Sequence, residues 1–135
     1  MGRSPTGGME IQMRALVIDD SSVMRAWLKN LLEEMSFDVI EACHGGQALE
    51  RLAQSGRVDL MLLDINMPEM DGVTFLRRIR SEHENDRTMI MMVSSENSAS
   101  KIKESLEFGA NEYIMKPVSK DALLEKLKLI GISTA

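Results

Sequence analysis

Polar residues that could do chemistry follow several short apolar runs in this 135-residue chain. Asp19 and Asp20 follow ALVI, and Asp64 follows LMLL. Ser94 follows MMV, and Lys116 follows YIM. Three carboxylates, a hydroxyl and an ammonium can together bind a hard cation and an anionic group. Their chemistry therefore depends on whether the fold brings these five side chains to one place.

The paired acids Asp19 and Asp20 predict a metal site if the fold adds a third carboxylate. Bringing Asp64 beside them without a cation would raise the pKa of at least one carboxyl group, whereas a divalent ion reverses that effect. Carboxylate oxygens, a backbone carbonyl and water are ligands that Mg²⁺ accepts in octahedral geometry, commonly with phosphate oxygens. We therefore expect Asp19 and Asp20 to face each other across Mg²⁺.

Short apolar runs alternate with amphipathic runs from Met13 onward. The pattern predicts strands at 14–18, 37–42, 58–63, 88–93 and 112–115, and helices at 22–35, 45–55, 72–82, 98–108 and 119–130. Short and continuously apolar strands are typical of parallel strands that are buried on both faces. Strict alternation therefore predicts a doubly wound α/β fold, because right-handed crossovers place helices on both faces of a parallel sheet.

The carboxyl ends of parallel strands meet at one edge of such a sheet, which is where ligands bind. All five candidate residues follow predicted strands, so we expect them to converge at that edge. Taken singly, each has an ordinary explanation: an acid at a strand end is commonly a helix cap, and Lys116 would be a solvated surface lysine. Their convergence favours the functional interpretation.

Composition excludes several classes of protein. A chain that is 44% hydrophobic and 27% charged fits one globular domain, which we place at 13–131, between a flexible tail or expression scar at 1–12 and a C-terminal tail at 132–135. The sequence contains no long apolar run and no signal peptide, which predicts a cytoplasmic protein without membrane insertion. The net charge of -5 argues against nucleic-acid binding. The single Cys43 excludes an internal disulfide.

Four motifs in order along the chain resemble those of response-regulator receiver domains. They are DD at 19–20, DINMPEMDG at 64–72, MMVSSEN at 91–97 and YIMKP at 113–117. Over 13–131 the chain is most similar to stand-alone chemotaxis regulators of the CheY type. The resemblance implies a flavodoxin-like (βα)5 fold with a parallel five-stranded sheet in the order 2-1-3-4-5.

The resemblance also assigns the acidic residues. Asp64 would be the phosphoryl acceptor, and Asp19, Asp20 and Asp64 would supply the carboxylate ligands of Mg²⁺. Asn66 would add its backbone carbonyl to the metal ligands. A carboxylate nucleophile forming an acyl phosphate beside neutralising charges is sound chemistry for such a set.

The same resemblance implies a switch. Ser94 and Lys116 would bind phosphoryl oxygens, with Pro117, cis in this family, orienting Lys116. Pulling Ser94 inward would let Tyr113 rotate to a buried position, and the face at 98–118 would then bind a partner. Ser94 stands where threonine is commoner in the family, and serine lacks the β-branch that stiffens threonine.

The resemblance thus implies a monomeric regulator that takes its phosphoryl group from a histidine kinase and binds an output target such as a flagellar motor switch protein. It would be no enzyme beyond its own phosphorylation and dephosphorylation. One alternative is the receiver part of a longer regulator with a DNA-binding or enzymatic output domain. The ending LKLIGISTA shows no linker, which favours the first interpretation. A phosphatase-like hydrolase is disfavoured because the sequence predicts no substrate pocket beyond the site.

Overall fold

Strands and helices alternate throughout the structure, a computed structural model that describes residues 12–67, 69–95 and 99–132. The strands are β1 Arg14–Ile18, β2 Asp38–Ala42, β3 Leu60–Asp64, β4 Met89–Ser94 and β5 Glu112–Met115. The helices are α1 Ser22–Glu34, α2 Gly45–Ser55, α3 Gly72–Arg80, α4 Ala99–Glu107 and α5 Lys120–Leu129, with a short 3-10 helix at His83–Asn85. Every predicted strand and helix is confirmed, with ends that shift by at most two residues.

The five strands form one parallel sheet in the order β2-β1-β3-β4-β5. This order confirms the one that the family resemblance implies. At the carboxyl edge, Ile18 of β1 pairs with Leu63 of β3, and Ser94 of β4 pairs with Met115 of β5. The residues that follow the strand ends therefore emerge side by side.

Two apolar cores lie on opposite faces of the sheet, because successive side chains of a strand point in opposite directions. Ala15 and Val17 face one core with α1 and α5, whereas Leu16 and Ile18 face the other with α2 and α3. All five residues of the central strand β3 are buried. This confirms the expectation of burial on both faces for the central strand, whereas in the outer strands β2 and β5 only Ala42 and Ile114 are buried. Within the described residues, no helix is both long enough and apolar enough to cross a membrane.

The carboxyl-terminal boundary of the domain differs from the sequence expectation by one residue. Ile132, assigned above to the tail, is buried in the core beside α1 and α5, and its N–H donates to the carbonyl of Leu127 at 2.9 Å. The rest of that tail, 133–135, and residues 1–11 of the predicted amino-terminal tail lie outside the described residues.

Candidate functional site

An acidic cluster occupies the carboxyl edge of the two strands β1 and β3. One carboxylate oxygen each from Asp19, Asp20 and Asp64 lies within 4.8 Å of the others. Asp19 and Asp64 are almost fully buried, whereas Asp20 is exposed. The structure thus brings the three acids together, as the sequence predicts.

Backbone hydrogen bonds fix the two buried acids. The N–H of Asp19 donates to the carbonyl of Ala42 in β2 at 3.1 Å, and Asp19 Oδ1 accepts from the N–H of Ser21 at 2.9 Å. Asp64 Oδ1 accepts from the N–H of Asn66 at 3.2 Å. Each carboxylate is therefore held by the turn that immediately follows its strand.

Lys116 brings a positive charge to the buried acids. Its Nζ lies 3.4 Å from Asp19 Oδ2 and 3.6 Å from Asp64 Oδ1. Its backbone N–H donates to the carbonyl of Ser94 at 2.7 Å, which anchors the start of the β5–α5 connection to β4. The Lys116–Pro117 peptide bond is cis, as the resemblance implies.

The pKa of Asp64 is raised from 3.8 to about 6. The main cause is burial, which penalises the charged form, and the next is repulsion from Asp19, while Lys116 opposes both effects. Asp19 Oδ2 is also buried and accepts no hydrogen bond from the described residues, although the Lys116 ammonium lies nearby. The cluster therefore carries more negative charge than Lys116 alone offsets.

The raised pKa predicts a pH-dependent difference in stability between the wild-type protein and Asp64→Asn. A folded-state pKa above the unfolded value stabilises the fold at low pH, and this contribution is lost as pH rises from about 3.8 through about 6. Without magnesium, we expect Asp64→Asn to be more stable above that window by up to about 3 kcal/mol. Urea denaturation at several pH values measures the difference. A gap that does not close near pH 4 would contradict the assignment.

The donor set fits Mg²⁺. Three carboxylates facing one ammonium leave a charge that suits a dication, and the buried Asp19 Oδ2, although ion-paired with Lys116, accepts no hydrogen bond from the described residues. Oxygen donors are the ligands that Mg²⁺ prefers. Asp19, Asp20 and Asp64 would hold the ion, and Asn66, the exposed residue two positions after Asp64, would add its backbone carbonyl.

Removing the exposed acid should weaken metal binding without disturbing the buried pair. We expect Asp20→Ala to bind Mg²⁺ about tenfold more weakly or worse, since an oxygen ligand and a negative charge are both lost. Isothermal titration calorimetry measures the affinity, and fluorescence of Trp27 offers a second signal. Glu125→Ala, which removes an exposed charge on α5, is the control. Equal affinities of the two variants would rule out a metal role for Asp20.

Ser94 and Tyr113 lie on adjacent strands beside the cluster. Ser94 is fully buried, and its Oγ lies 3.4 Å from Met115 Sδ. Tyr113 pairs with Met92 rather than with Ser94. Its ring is half-buried, and Lys126 Nζ lies 4.3 Å from the ring centre. Ser94 thus reaches the edge of the site through the backbone contact with Lys116, whereas Tyr113 sits further back along β5.

Two residues that matter to the site were not among the predicted site residues. Gly72 is one: a Cβ there would stand 2.4 Å from the backbone oxygen of Asp64, whereas an Asp-Gly pair in a sequence indicates only a turn. Trp27 is the other: its indole N–H donates to the carbonyl of Val118, 91 residues away, at 2.6 Å. Helical spacing marked Trp27 only as an apolar residue of α1.

A cavity of about 430 Å³ lies away from the acidic cluster. It opens between the carboxyl-terminal parts of α2 and α3 and is lined by Leu49, Leu52, Ala53, Gly56, Arg57, Arg78, Glu82, Glu84 and Asn85. None of the predicted site residues lines it. Its lining residues lie near the amino ends of β3 and β4, so it cannot serve as a substrate pocket for Asp64.

The sequence of this chain is similar to those of response-regulator and chemotaxis proteins. Residues 15–128 match the sequence profile of a family described as "Response regulator receiver domain". Chemotaxis protein CheY1 of Helicobacter pylori is 37% identical over 119 residues, which cover 87% of this chain and 96% of that protein. A chemotaxis protein CheY homolog of Campylobacter jejuni is 38% identical over 117 residues, covering 86% and 90%.

Solved structures share the fold. Vibrio cholerae chemotaxis protein CheY4 superposes with a TM-score of 0.82 at 28% identity, covering 89% of this chain and 99% of that one. A probable two-component system response regulator/GGDEF domain protein gives the same TM-score and identity, but the match covers 88% of this chain and only 49% of that protein. The fold of this chain thus matches nearly all of the first protein and about half of the second.

Proposed function

Because this chain belongs to the response-regulator receiver family and is a receiver domain of the CheY type, we propose that it is a signalling switch phosphorylated on Asp64. The observation that carries the proposal is the position of Asp64. Its buried carboxylate lies beside the other acids of the cluster and 3.6 Å from the ammonium of Lys116. A nucleophile, a metal site and a positive charge are what acyl-phosphate formation requires.

The reaction uses few groups. An Asp64 oxygen forms a bond to phosphorus, and the bond from phosphorus to the donor breaks, with its electron pair leaving on the donor atom. Lys116, close to both buried acids, offsets negative charge on the transferring oxygens. Magnesium, when bound, supplies further positive charge against those oxygens. The protein would catalyse only its own modification and its reversal, so we do not propose a classical enzyme.

We propose a histidine kinase as the phosphodonor and a flagellar motor switch protein as the output target. Two observations support these partners. CheY-like receiver domains take phosphate from a histidine kinase and bind a downstream target, and the similar proteins of Helicobacter pylori and Campylobacter jejuni are named as chemotaxis proteins. The described part of the 98–118 face, formed by α4 and β5, is the surface we assign to the target.

A second candidate function is the receiver part of a longer regulator. The structural match to a response regulator/GGDEF domain protein supports it, because this chain covers only 49% of that protein. The coverage of 90% and 96% of the two chemotaxis proteins favours the stand-alone regulator. Sequencing the native reading frame separates these two candidates.

The test of the proposed function is phosphoryl transfer from a small donor. With Mg²⁺ and acetyl phosphate, the intact protein should gain one phosphoryl group that hydroxylamine removes, since hydroxylamine cleaves acyl phosphates. Mass spectrometry after borohydride reduction of the modified protein should place the group on Asp64. Absence of any uptake would refute the proposal. Multiple-turnover hydrolysis of a phosphomonoester would instead support a hydrolase.

The switch makes a separate prediction about Ser94. A phosphoryl group offers strong acceptor oxygens that the hydroxyl of Ser94 can contact only in the modified state, which gives modification a preference for one conformation. Beryllofluoride with Mg²⁺, which mimics the acyl phosphate, should therefore shift NMR signals across 94–118. Ser94→Ala should confine the shifts to residues near Asp64. Ser94→Thr, which keeps a hydroxyl at this position, should show shifts across 94–118 as the wild-type protein does. Equal spread in Ser94→Ala would refute this route.

A further inference from the structure

Helix α1 touches the segment that carries Lys116. Nε1 of Trp27 donates to the carbonyl oxygen of Val118 at 2.6 Å. Val118 is 2% exposed and belongs to the core beside α1 and α5, whereas Trp27 is 46% exposed. A carbonyl in a buried residue needs a donor, and the indole N–H supplies one from a distant part of the chain.

This hydrogen bond closes one side of a short connection whose other side is already held. Between β5 and α5, the backbone N–H of Lys116 donates to the carbonyl of Ser94 at 2.7 Å. Two residues later, the carbonyl of Val118 accepts from Trp27. The next residue, Ser119, caps α5 by accepting from the N–H of Ala122 at 3.1 Å. The backbone on both sides of the Lys116 side chain is thus fixed to neighbouring elements.

Lys116 needs such support because its side chain is long and its contacts are not short. Its Nζ lies 3.4 Å and 3.6 Å from the two buried acids and remains partly exposed. A shift of its backbone would move the ammonium relative to Asp64. Displacements of about 1 Å in a positioning group can slow a reaction about 100-fold.

We propose that Trp27 is a positioning residue: its indole N–H holds the Val118 carbonyl and thereby sets where the Lys116 ammonium lies relative to Asp64. This inference rests on the proposed function of Asp64 as phosphoryl acceptor. Among the described residues, the hydrogen bond of the Trp27 side chain goes to Val118 and not to Asp64 or Lys116.

Trp27 is the only tryptophan of the chain, so its N–H can be removed with almost no change of shape. Biosynthetic replacement by β-(3-benzothienyl)alanine exchanges the N–H for sulfur, and Trp27→Phe is a second variant that keeps an aromatic ring. With acetyl phosphate and Mg²⁺, we expect the phosphorylation rate of both to fall about 5- to 50-fold. Their Mg²⁺ affinity should remain that of the wild-type protein, because the acids are held by other contacts.

A double-mutant cycle separates positioning of Lys116 from a general structural role. In a Lys116→Ala background, loss of the indole N–H should cause no further decrease in rate, because the group that it positions is gone. A decrease of the same size in both backgrounds would overturn the inference. The control is Val23→Ala, at an exposed position four residues earlier on α1. This variant should be phosphorylated at the wild-type rate.

An NMR measurement on the metal-free protein needs no phosphodonor and so does not depend on the proposed function. The indole N–H signal should be protected from solvent exchange, and the replacement of Trp27 should shift the signals of Lys116 and Val118. Unchanged signals there would overturn the inference whether or not Asp64 is phosphorylated. Normal phosphorylation of the replaced protein would overturn it while leaving the proposed function intact.

Discussion

Asp64→Asn is expected to take up no phosphoryl group from acetyl phosphate under conditions in which the wild-type protein is fully modified. The amide lacks the anionic oxygen that forms the bond to phosphorus, and its shape is otherwise almost the same. Among the described residues near it, the Ser94 hydroxyl is fully buried against Met115, and the other two acids would be occupied as metal ligands. A substitute acceptor is therefore not expected.

Intact-protein mass spectrometry measures this loss directly. Asp121→Asn, the same substitution at an exposed position in the first turn of α5, should be modified as fast as the wild-type protein. Uptake by Asp64→Asn that equals the uptake by this control would show that another residue is the acceptor. Uptake by neither variant would point to loss of the fold or of the metal instead, which circular dichroism and calorimetry distinguish.

Gly72→Ala is expected to cause the largest loss of stability among glycine-to-alanine substitutions at the described glycines. The new Cβ would lie 2.4 Å from the backbone oxygen of Asp64 and 2.9 Å from Cα of Ile65. Both are backbone atoms at the end of the central strand, so neither can rotate away as a side chain could. Relief requires a backbone shift, which we expect to cost about 3 kcal/mol or more in free energy of unfolding.

The same shift would displace Asp64 within the acidic cluster, so we also expect the phosphorylation rate of Gly72→Ala to fall. Urea denaturation gives the free energy of unfolding. The control is Gly46→Ala in α2, where a Cβ would meet only ring atoms of His44 at 3.4 Å. Alanine favours a helix over glycine, so that variant should gain up to about 1 kcal/mol. Equal stabilities of the two variants would contradict the close approach at Gly72.

The acidic cluster could be predicted from the sequence because it depends on chain order rather than on packing. Asp19 and Asp64 follow strands, and parallel strands end at one edge whatever their side chains do. The order of the strands was supplied by the family resemblance, since periodicity alone does not distinguish one neighbour from another. Which of Asp19 and Asp20 would be buried could not be predicted. Adjacent residues leave a strand in opposite directions, but both faces of this sheet are covered, so alternation does not tell the buried side from the exposed one.

Contacts between distant parts of the chain were beyond sequence reasoning. The hydrogen bond from Trp27 to Val118 depends on how α1 lies beside the β5–α5 connection, which follows from packing in three dimensions. An Asp-Gly pair is typical of a turn before a helix, and Asp71 caps α3 by accepting from the N–H of Thr74. The close approach of Gly72 to the Asp64 backbone could not be predicted from the spacing of apolar and polar residues.

The pairing of β1 with β3 has a consequence for how the site comes apart. Asp19 and Asp64 are carried by neighbouring inner strands whose backbones are in register, whereas Lys116 follows the edge strand β5, of which only Ile114 is buried. Edge elements with few buried contacts open locally at lower free energy than central strands. Local opening of the native protein should therefore separate the ammonium from the acids at a lower free energy than the opening that separates Asp19 from Asp64.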